Sequence, residues 1–471
     1  MWSGSTDTRP RPNARRAHDP PGPRARYPGE FVVRLASDRL QLFSTMAQAG
    51  DVSRIRIGPQ PVVQLLHPDD IRRVLVEEQR NFTKGRALER TESLLGKGLL
   101  TSEDPLHRRQ RRLMQPAFHR DRIATYADVM TAHARRMAAS WSHGRELDAH
   151  AEMMRLTLAI AGRALFDADV EGDAQDVAEV MELSLRMFNY TILPLGILLE
   201  RAPLSWVRRL RRSRKRMDAL IYRIIEQRRR SGAAHDDVMS LLMAAHDGEQ
   251  DGRMTDRQLR DEVVTLLMAG HETTANWLTW TWYLLATNPE VERQLHEELD
   301  TVLRGRVPSF DDIPRLPMTR AILAESLRIY PPAWALERVA QTDFEAGGYV
   351  IRRGTIVIMC QYLVHRDPRW WPEPLRFDPA RWTPAREWAR PKFAYFPFGG
   401  GARMCIGEHF AWTEAMLVLT TLAQRFRVRY VGLGEPRPEA LVTLRPRGGL
   451  RVCLEARAAS CDAASTSRRC T

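Results

Sequence analysis

Hydrophobic residues recur along most of this chain at intervals of three and four, which is the spacing of one face of an α-helix. The pattern extends from about residue 68 to 330, with polar breaks such as SHGRE, EGDAQD and HDGEQDG, and it returns in HFAWTEAMLVLTTLAQRF. Breaks of this composition are typical of connections between helices. The chain is therefore predicted to be mainly α-helical.

Strand-like alternation appears nearer the two ends. DVSRIRIG (51–58) and PVVQLL (61–66) flank Gly58-Pro59 and predict an antiparallel hairpin, and TIVIMC (355–360) predicts a buried strand. LVTLRPRGGLRVCLEAR, with its two central glycines, predicts a second hairpin. We expect a single domain over residues 29–456, mainly α with a smaller β-rich part (α+β).

The terminal segments are polar. Residues 1–28 are rich in arginine and proline and have no apolar core, so they predict a disordered arm rather than a secretory signal. Residues 457–471 predict a disordered tail. Because no stretch of about 18 apolar residues is present, no transmembrane anchor is expected, and a cytoplasmic location is favoured.

Composition excludes some classes of function. The 71 Lys and Arg residues exceed the 58 Asp and Glu residues by 13, but they are spread along the chain and form no recognisable nucleic-acid module. A solvated arginine-rich surface is the favoured interpretation, with a local docking face for an acidic protein as the alternative. The five cysteines include no C-x-x-C pair, which indicates neither a disulfide framework nor a zinc site and fits a reducing compartment.

The longest helical pattern is MTDRQLRDEVVTLLMAGHETTANWLTWTWYLLATNP. Thr255 and Gln258 form a capping box at its start, and Asn288-Pro289 ends it. A helix of ~32 residues would be nearly 50 Å long and could cross a whole domain. The HET triplet does not continue to the zinc motif H-E-x-x-H, because Ala275 stands where the second histidine would be.

Glu272 and Thr273 are polar residues within this apolar run, and they allow two interpretations. In the first they are a satisfied buried pair, with the Thr273 hydroxyl bonded to the Ala269 carbonyl. In the second, Gly270 and Thr273 open the helix locally, so that a small ligand could be held beside a carboxyl and a hydroxyl able to deliver protons.

Glu325 and Arg328 in AESLRIYPP lie three residues apart on a helix that Pro331 ends. An exposed ion pair is the common explanation of such spacing. Arg381 in FDPARW offers a second guanidinium, and a buried carboxylate facing two arginines would be a different kind of site.

Cys405 follows three glycines in FPFGGGARMCIG. A lone cysteine is usually a small buried hydrophobe. Here it precedes a helix predicted over 406–424, whose N-terminal dipole and free N–H groups would stabilise a thiolate, and the glycines would let the backbone approach a planar ligand. Arg403 could meet a carboxylate. Together these features suit a thiolate ligand to haem. No Walker A or G-x-G-x-x-G motif is present, so the chain is not expected to bind its own nicotinamide or flavin.

Four segments of the sequence resemble the cytochrome P450 family. FGGGARMCIG (398–407) matches the family's haem-binding loop, AGHETT (269–274) its oxygen-activation motif and ESLR (325–328) its E-x-x-R motif, while FDPARW supplies the second arginine of its Glu-Arg-Arg cluster. The order and spacing agree over about residues 30–455. The resemblance implies the cytochrome P450 fold, a triangular helical prism around a buried haem b.

The resemblance also implies residue roles. Cys405 corresponds to the axial thiolate ligand of the haem iron, and Glu272 and Thr273 correspond to the acid–alcohol pair of proton delivery. Glu325, Arg328 and Arg381 correspond to the structural cluster. The positions that correspond to haem-binding residues are His107, Arg111, Arg338, Arg403, Gly270, Phe398, Gly399 and Gly407. The positions that correspond to walls of the substrate pocket are Leu266, Ala269, Ala333 and Leu336, with segments 83–100 and 187–195.

The activity that the resemblance implies is insertion of one atom of O2 into a hydrophobic substrate of fatty-acid, terpene, steroid or polyketide type. His107 stands where membrane-bound relatives often have tryptophan, which favours a soluble bacterial type, and the segments around LHRRQRRLMQPAF and HRDP are similar to the fatty-acid and terpene-oxidising branches. Electrons from NAD(P)H would come through a separate ferredoxin and ferredoxin reductase, with Arg108, Arg109 and Arg112 as candidate docking residues. A peroxygenase, a haem-thiolate isomerase and a non-enzymatic haem sensor or carrier are the alternatives.

Overall fold

The computed structural model describes residues 19–191, 204–231, 237–244 and 254–457. Within these ranges the chain is mainly helical. The α-helices, in chain order, are α1 (Glu30–Ser37), α2 (Arg39–Ala47), α3 (Pro68–Arg72), α4 (Arg86–Leu95), α5 (Leu106–Met114), α6 (Arg120–Ser140), α7 (Ala149–Phe166), α8 (Ala174–Thr191), α9 (Ser205–Ser231), α10 (Val238–Ala244), α11 (Asp256–Thr287), α12 (Pro289–Val302), α13 (Pro317–Ile329), α14 (Gln361–Val364), α15 (Pro384–Trp388) and α16 (Glu408–Ala423).

The strands are short, and they are β1 (Val52–Ile57), β2 (Gln60–Leu65), β3 (Phe82–Lys84), β4 (Glu146–Asp148), β5 (Leu336–Ala340), β6 (Phe344–Ala346), β7 (Tyr349–Ile351), β8 (Ile356–Met359), β9 (Phe426–Tyr430), β10 (Pro438–Ala440), β11 (Leu444–Pro446) and β12 (Arg451–Ala456). The main sheet has the order β1-β2-β8-β5-β3, and β2 and β8 are parallel. The other sheets pair β4-β12-β9, β10-β11 and β6-β7.

Helix α11 is buried over most of its length between Leu259 and Leu285. The predicted capping box is present, with Thr255 Oγ1 accepting from the Gln258 amide, and the helix ends at Asn288 as predicted. It packs against α7, α13, α16 and β9. Its largest fully buried side chains are Trp277, Trp280 and Trp282. No helix in the described part of the chain combines the length and the apolar character needed to cross a membrane.

The predicted β1–β2 hairpin is confirmed, with register Val52↔Leu65 to Ile57↔Gln60, and the TIVIMC segment forms β8. The second predicted hairpin is wrong. β11 pairs with β10, whereas β12 pairs with β9 and β4. Gly448 and Gly449, with φ of 80° and 85°, turn the chain between two sheets. The amide of Leu450 donates to Asp148 Oδ1 at 2.8 Å, so β12 pairs with β4, a strand about 300 positions earlier in the sequence.

The N-terminal segment assigned to a disordered arm includes residues that the structure places against the fold. Residues 19–28, assigned to the disordered arm, lie against β1, where the Arg54 amide donates to Pro21 O at 2.8 Å. A Cβ at Gly22 would come within 1.8 Å of the Arg54 carbonyl oxygen. This segment has no hydrophobic periodicity. A backbone hydrogen bond positions it, at a point where only glycine leaves enough space for the Arg54 carbonyl. At the other end Arg457 is also ordered, its amide donating to Arg425 O at 2.9 Å.

Candidate functional site

Cys405 lies in the loop before α16, and backbone groups fix its position. The Cys405 amide donates to Phe398 O at 3.0 Å, and the Gly407 amide donates to the sulfur. The helix begins at Glu408 rather than directly after the cysteine. Burial raises the pKa of the Cys405 thiol to about 11, while the Gly407 amide and the Arg111 guanidinium act to lower it. Burial and the Glu408 carboxylate thus favour the neutral thiol, while the Gly407 amide and Arg111 are the two groups that favour its ionised form.

The surface of the Cys405 side chain is accessible, yet burial by the surrounding protein is the largest influence on its pKa. The side chain therefore faces a space that the protein encloses. The middle of α11 also has accessible side chains inside the fold. Ala269 is exposed and Thr273 is half-buried, whereas most of that helix is buried. Phe398 of the cysteine loop contacts Trp277, one turn beyond Thr273, with ring centroids 6.3 Å apart. The loop and α11 thus lie on adjacent sides of one site.

The glycines before Cys405 are required by packing against protein. Gly399 and Gly401 have φ of 76° and 69°. A Cβ at Gly401 would lie 1.9 Å from the Leu75 carbonyl oxygen, and one at Gly400 would lie 2.7 Å from the Phe393 ring. The amide at the sulfur belongs to Gly407, at the start of the helix that the sequence predicts over 406–424. The upstream glycines are instead explained by their close contacts with Leu75 and Phe393.

Basic side chains cluster beside the cysteine loop. His107, Arg403 and Arg338 come from α5, the cysteine loop and β5. The charge of Arg403 acts to lower the pKa of both His107 and Arg338. Burial lowers the pKa of Arg338 to about 10, and burial with nearby cations lowers that of His107 to about 4. Arg111 donates through Nη1 to Met404 O at 2.7 Å, which ties α5 to the same loop. The cluster places the two arginine cations and the neutral imidazole, all of them N–H donors, in a desolvated place.

Lys84 is a member of this cluster that sequence reasoning missed. It is buried on β3, and Nζ donates to Leu99 O at 2.7 Å and Ser102 O at 2.6 Å. Burial, assisted by the charges of Arg403 and Arg338, lowers its pKa to about 7. The signal available in the sequence was its position two residues after the buried Phe82, which puts a lysine on the inward side of a strand.

The donor set fits haem. Arg403 pairs with Glu103, yet its buried Nη1 has no hydrogen-bond partner among the described residues. Buried cations with unused N–H donors favour carboxylates, and haem carries two. A sulfur supported by an amide supplies an axial ligand for iron. Cys405 would therefore hold the metal, and the cluster of Lys84, His107, Arg338 and Arg403 would hold the propionates.

Glu325 and Arg328 form a fully buried pair on α13, and neither side chain has measurable exposure. Two hydrogen bonds of 2.8 Å join them, and Arg381 Nε approaches Glu325 Oε1 at 3.3 Å. Trp382 Nε1 and the Asp378 amide each donate to the carboxylate at 3.0 Å. The exposed-pair interpretation is wrong, because the 373–382 segment covers the helix and completes a buried carboxylate with two guanidiniums.

Glu272 and Thr273 lie side by side on α11 but in different surroundings. Glu272 is 5% exposed, and burial raises its pKa while the Thr443 hydroxyl and Arg445 act to lower it. The half-buried Thr273 donates through Oγ1 to Ala269 O at 2.7 Å. That bond matches the first interpretation of the pair, while the exposure of Ala269 leaves room for a ligand beside it.

The residues assigned to the substrate pocket are only partly brought together. Leu336 contacts the cysteine loop, since a Cβ at Gly399 would lie 3.4 Å from its Cδ1. A Cβ at Gly98 would lie 2.2 Å from Oγ1 of Thr265 on α11, so part of the 83–100 segment packs directly against that helix. Leu266 is buried on α11, and Ala333 is half-buried before β5. Of the 187–195 segment, residues 192–195 lie outside the described residues.

The three arginines assigned to partner docking differ in exposure. Arg108 is 72% exposed and pairs with Asp104 at 3.1 Å, and Arg112 is also exposed. Arg109 is half-buried, with its Nε fully covered, so it is a poor docking residue. The reason is geometric: α5 turns positions 107 and 110 fully inward and leaves 109 at their margin.

Comparison with known proteins gives a consistent result. A family model described as Cytochrome P450 matches residues 20–454. Cyclooctatin synthase of Streptomyces melanosporofaciens is 40% identical over 88% of this chain and 91% of its own length. Cyclooctat-9-en-7-ol 5-monooxygenase of the same organism is 38% identical over 83% and 85%. Pentalenene oxygenase of Streptomyces avermitilis is 38% identical over 89% and 93%.

Solved structures share this architecture. The crystal structure of the cytochrome P450DA heme domain superposes with a TM-score of 0.84 and 28% identity, covering 93% of this chain and 98% of that one. The structure of a cytochrome P450 designated CYP102L1 gives a TM-score of 0.81 at 26% identity, covering 90% and 98%. The likeness therefore extends over nearly all of both chains.

Proposed function

The chain belongs to the cytochrome P450 family and is a monooxygenase, and from this premise we propose that it oxidises a terpene hydrocarbon or a terpene alcohol. The observation that carries the proposal is the similarity, at 38% identity over most of each chain, to cyclooctat-9-en-7-ol 5-monooxygenase and pentalenene oxygenase. The apolar side chains assigned to the pocket, Leu266, Ala269 and Leu336, support a hydrophobic substrate.

Haem, when bound, supplies the chemistry that activates O2 and transfers one oxygen atom to the substrate. In our proposal Cys405 binds the iron as a thiolate, and the Gly407 amide and Arg111 stabilise that ionised form. Lys84, His107, Arg338 and Arg403 would bind the two carboxylates of the cofactor beside the cysteine loop.

We assign proton delivery to Glu272 and Thr273. Burial makes the Glu272 carboxyl hold its proton more firmly than an exposed one, which suits a proton donor working near neutral pH. Thr273, beside it on α11, has a hydroxyl close enough to the open side of the helix to pass or orient a proton. The Ala269 carbonyl, which accepts the Thr273 hydroxyl, holds that group in one rotamer.

We assign electron supply to a separate ferredoxin and its reductase, with NAD(P)H as the ultimate donor. The exposed Arg108 and Arg112 on α5 support this assignment, because Arg111 of the same helix is bonded to the cysteine loop. An acidic protein docked there would lie a short distance from the haem.

The test is a binding screen with the purified ferric protein, recording the shift of the haem absorption band as each compound is added. Cyclic terpene hydrocarbons and alcohols should shift the band at lower concentrations than fatty acids, steroids or polyketides of similar size. A response confined to fatty acids, steroids or polyketides would refute the terpene assignment and leave the monooxygenase class unaffected.

A further inference from the structure

A continuous chain of hydrogen bonds joins Glu272, in the middle of α11, to His150 at the start of α7. Thr443 Oγ1 donates to Glu272 Oε1 at 2.6 Å. Asn276 Nδ2 donates to Thr443 Oγ1 at 3.1 Å. Asn276 Oδ1 lies 3.1 Å from His150 Nε2. The chain therefore connects four residues from three separate parts of the sequence.

The direction of the bonds in this chain follows from the orientation of the Asn276 amide, whose nitrogen faces Thr443 and whose oxygen faces His150. The Thr443 hydroxyl accepts from the Asn276 amide nitrogen, which leaves its single hydrogen for the Glu272 carboxyl. With its nitrogen committed to Thr443, Asn276 presents its oxygen to His150, whose Nε2 must then carry a hydrogen. All three hydrogens point from His150 towards Glu272.

Because this chain of hydrogen bonds is largely buried, it has a strong effect on the Glu272 carboxyl. Asn276 and Thr443 are 0% and 5% exposed, and His150 at the end of the chain is half-buried. Thr443 supplies the single side-chain hydrogen bond made to Glu272 by the described residues. In a desolvated place such a bond decides both the orientation of a carboxyl and how readily it loses its proton.

The charged groups around the chain are few. Asp148, the N-cap of α7, accepts the His150 amide at 2.9 Å, and its carboxylate acts to raise the pKa of His150. Arg445 of β11 acts to lower the pKa of both His150 and Glu272, and it is itself paired with Glu439 at 3.1 Å. Burial, the largest influence, lowers the pKa of His150, so the imidazole is neutral near neutral pH and donates from one nitrogen.

We propose that Thr443, Asn276 and His150 are positioning residues that hold the Glu272 carboxyl in one orientation and control its release of the proton. Thr443 acts directly on the carboxyl, Asn276 orients the Thr443 hydroxyl, and His150 prevents the Asn276 amide from flipping. The proposal rests on the proton-delivery role proposed above for Glu272, but its direct readout is the carboxyl itself.

The test is infrared difference spectroscopy of the ferric holoenzyme across a pH titration, with the C=O band of protonated Glu272 identified by its loss in Glu272→Gln. Thr443→Val keeps the shape of the side chain and removes the donor. The band should move to higher wavenumber, and the pKa of Glu272 should rise by about one to two units. Thr443→Ser should restore both. Asn276→Leu should produce a smaller shift, because the hydroxyl remains but loses its orienting partner.

Thr279→Val is the matched control, since Thr279 is a buried threonine of α11 that donates to its own helix at Ala275 O. A Thr443→Val protein whose band and pKa match the wild type would overturn the proposal. If the band moves as expected but Glu272→Gln leaves the yield of product per electron unchanged, the positioning chain stands and the proton-delivery role of Glu272 fails. The two proposals are thus separated by different measurements.

Discussion

Arg328 holds Glu325 through two hydrogen bonds of 2.8 Å, from Nε to Oε2 and from Nη2 to Oε1, and both side chains are fully buried. Arg328 Nη1 also donates to His365 O at 2.9 Å and to Pro374 O at 2.7 Å. The pair therefore joins α13 to the segment that leads to the cysteine loop. We propose that the pair acts structurally, by fixing the backbone at His365 and Pro374.

Removing the charge of Glu325 should destabilise the protein strongly. Glu325→Gln leaves Arg328 and Arg381 as buried cations without a carboxylate, which costs about 3–5 kcal/mol of unfolding free energy. A urea titration followed by circular dichroism measures the loss. Glu290→Gln, which removes an exposed carboxylate beside Arg293, is the control and should leave the unfolding midpoint unchanged. Equal midpoints for the two variants would contradict the structural role of the buried pair.

Thr273→Ala should separate oxygen consumption from product formation. Without the hydroxyl, proton delivery beside Ala269 is disturbed, and a larger share of the NAD(P)H electrons should leave as hydrogen peroxide. The measurement is the ratio of peroxide to product at saturating substrate. Thr273→Ser should stay close to the wild type, because it keeps the donor. Fully coupled turnover in Thr273→Ala would exclude the role assigned to Thr273.

Charge reversal on α5 should slow reduction by the redox partner. The double variant Arg108→Glu/Arg112→Glu should lower the rate of reduction by an acidic ferredoxin about tenfold at low ionic strength, with the difference shrinking as salt is added. Stopped-flow spectroscopy across a salt series measures it. Arg352→Glu, which changes an exposed arginine outside α5, is the control. If the double variant matches the wild type at every salt concentration, α5 is not the docking site.

His296 should make the protein less stable in mild acid. It is buried on α12 beside Arg457 and Arg427, and burial with these cations lowers its pKa to about 3. Below its ordinary pKa the unfolded chain binds a proton that the folded chain does not, so stability falls as pH falls from 6.5 towards 3. Between pH 7 and 5 this amounts to about 2 kcal/mol.

The measurement is the unfolding free energy at pH 7 and pH 5 for the wild type and His296→Gln. The variant should lose less stability than the wild type between pH 7 and pH 5, because it lacks the His296 imidazole, which binds a proton in the unfolded chain but not in the folded one. The exposed His119→Gln serves as the control and should follow the wild type. A variant with the same pH dependence as the wild type would show that His296 is not the source of the acid sensitivity.

The sequence predicted those features that depend on local signals. The bounds of α11 follow from a capping box and an Asn-Pro stop, and the β1–β2 hairpin follows from alternation around Gly58-Pro59. The hairpin predicted at Gly448-Gly449 is wrong for a different reason. The two glycines do form a turn, but β12, the strand that follows them, pairs with the distant β4. Local patterns do not state which segments meet.

The missed site residues share the same cause. Thr443 reaches Glu272 across 171 positions of sequence, and Lys84 joins a cluster with Arg338 and Arg403 that no periodicity connects. The motif match located Cys405, but the motif does not indicate which amide supports the sulfur. Burial, which decides the charge state of His107 and Glu272, is likewise a property of the assembled fold.

The central claim is that Cys405 is the thiolate ligand of a haem iron, and absorption spectroscopy of the reduced protein with carbon monoxide tests it most directly. The wild type should show the red-shifted band of thiolate ligation, and Cys405→Ser should lose it. Cys360→Ser should keep it, because that buried thiol lies outside the cysteine loop and donates to Trp334 O. A haem-loaded Cys405→Ser protein that retains the band would contradict the account.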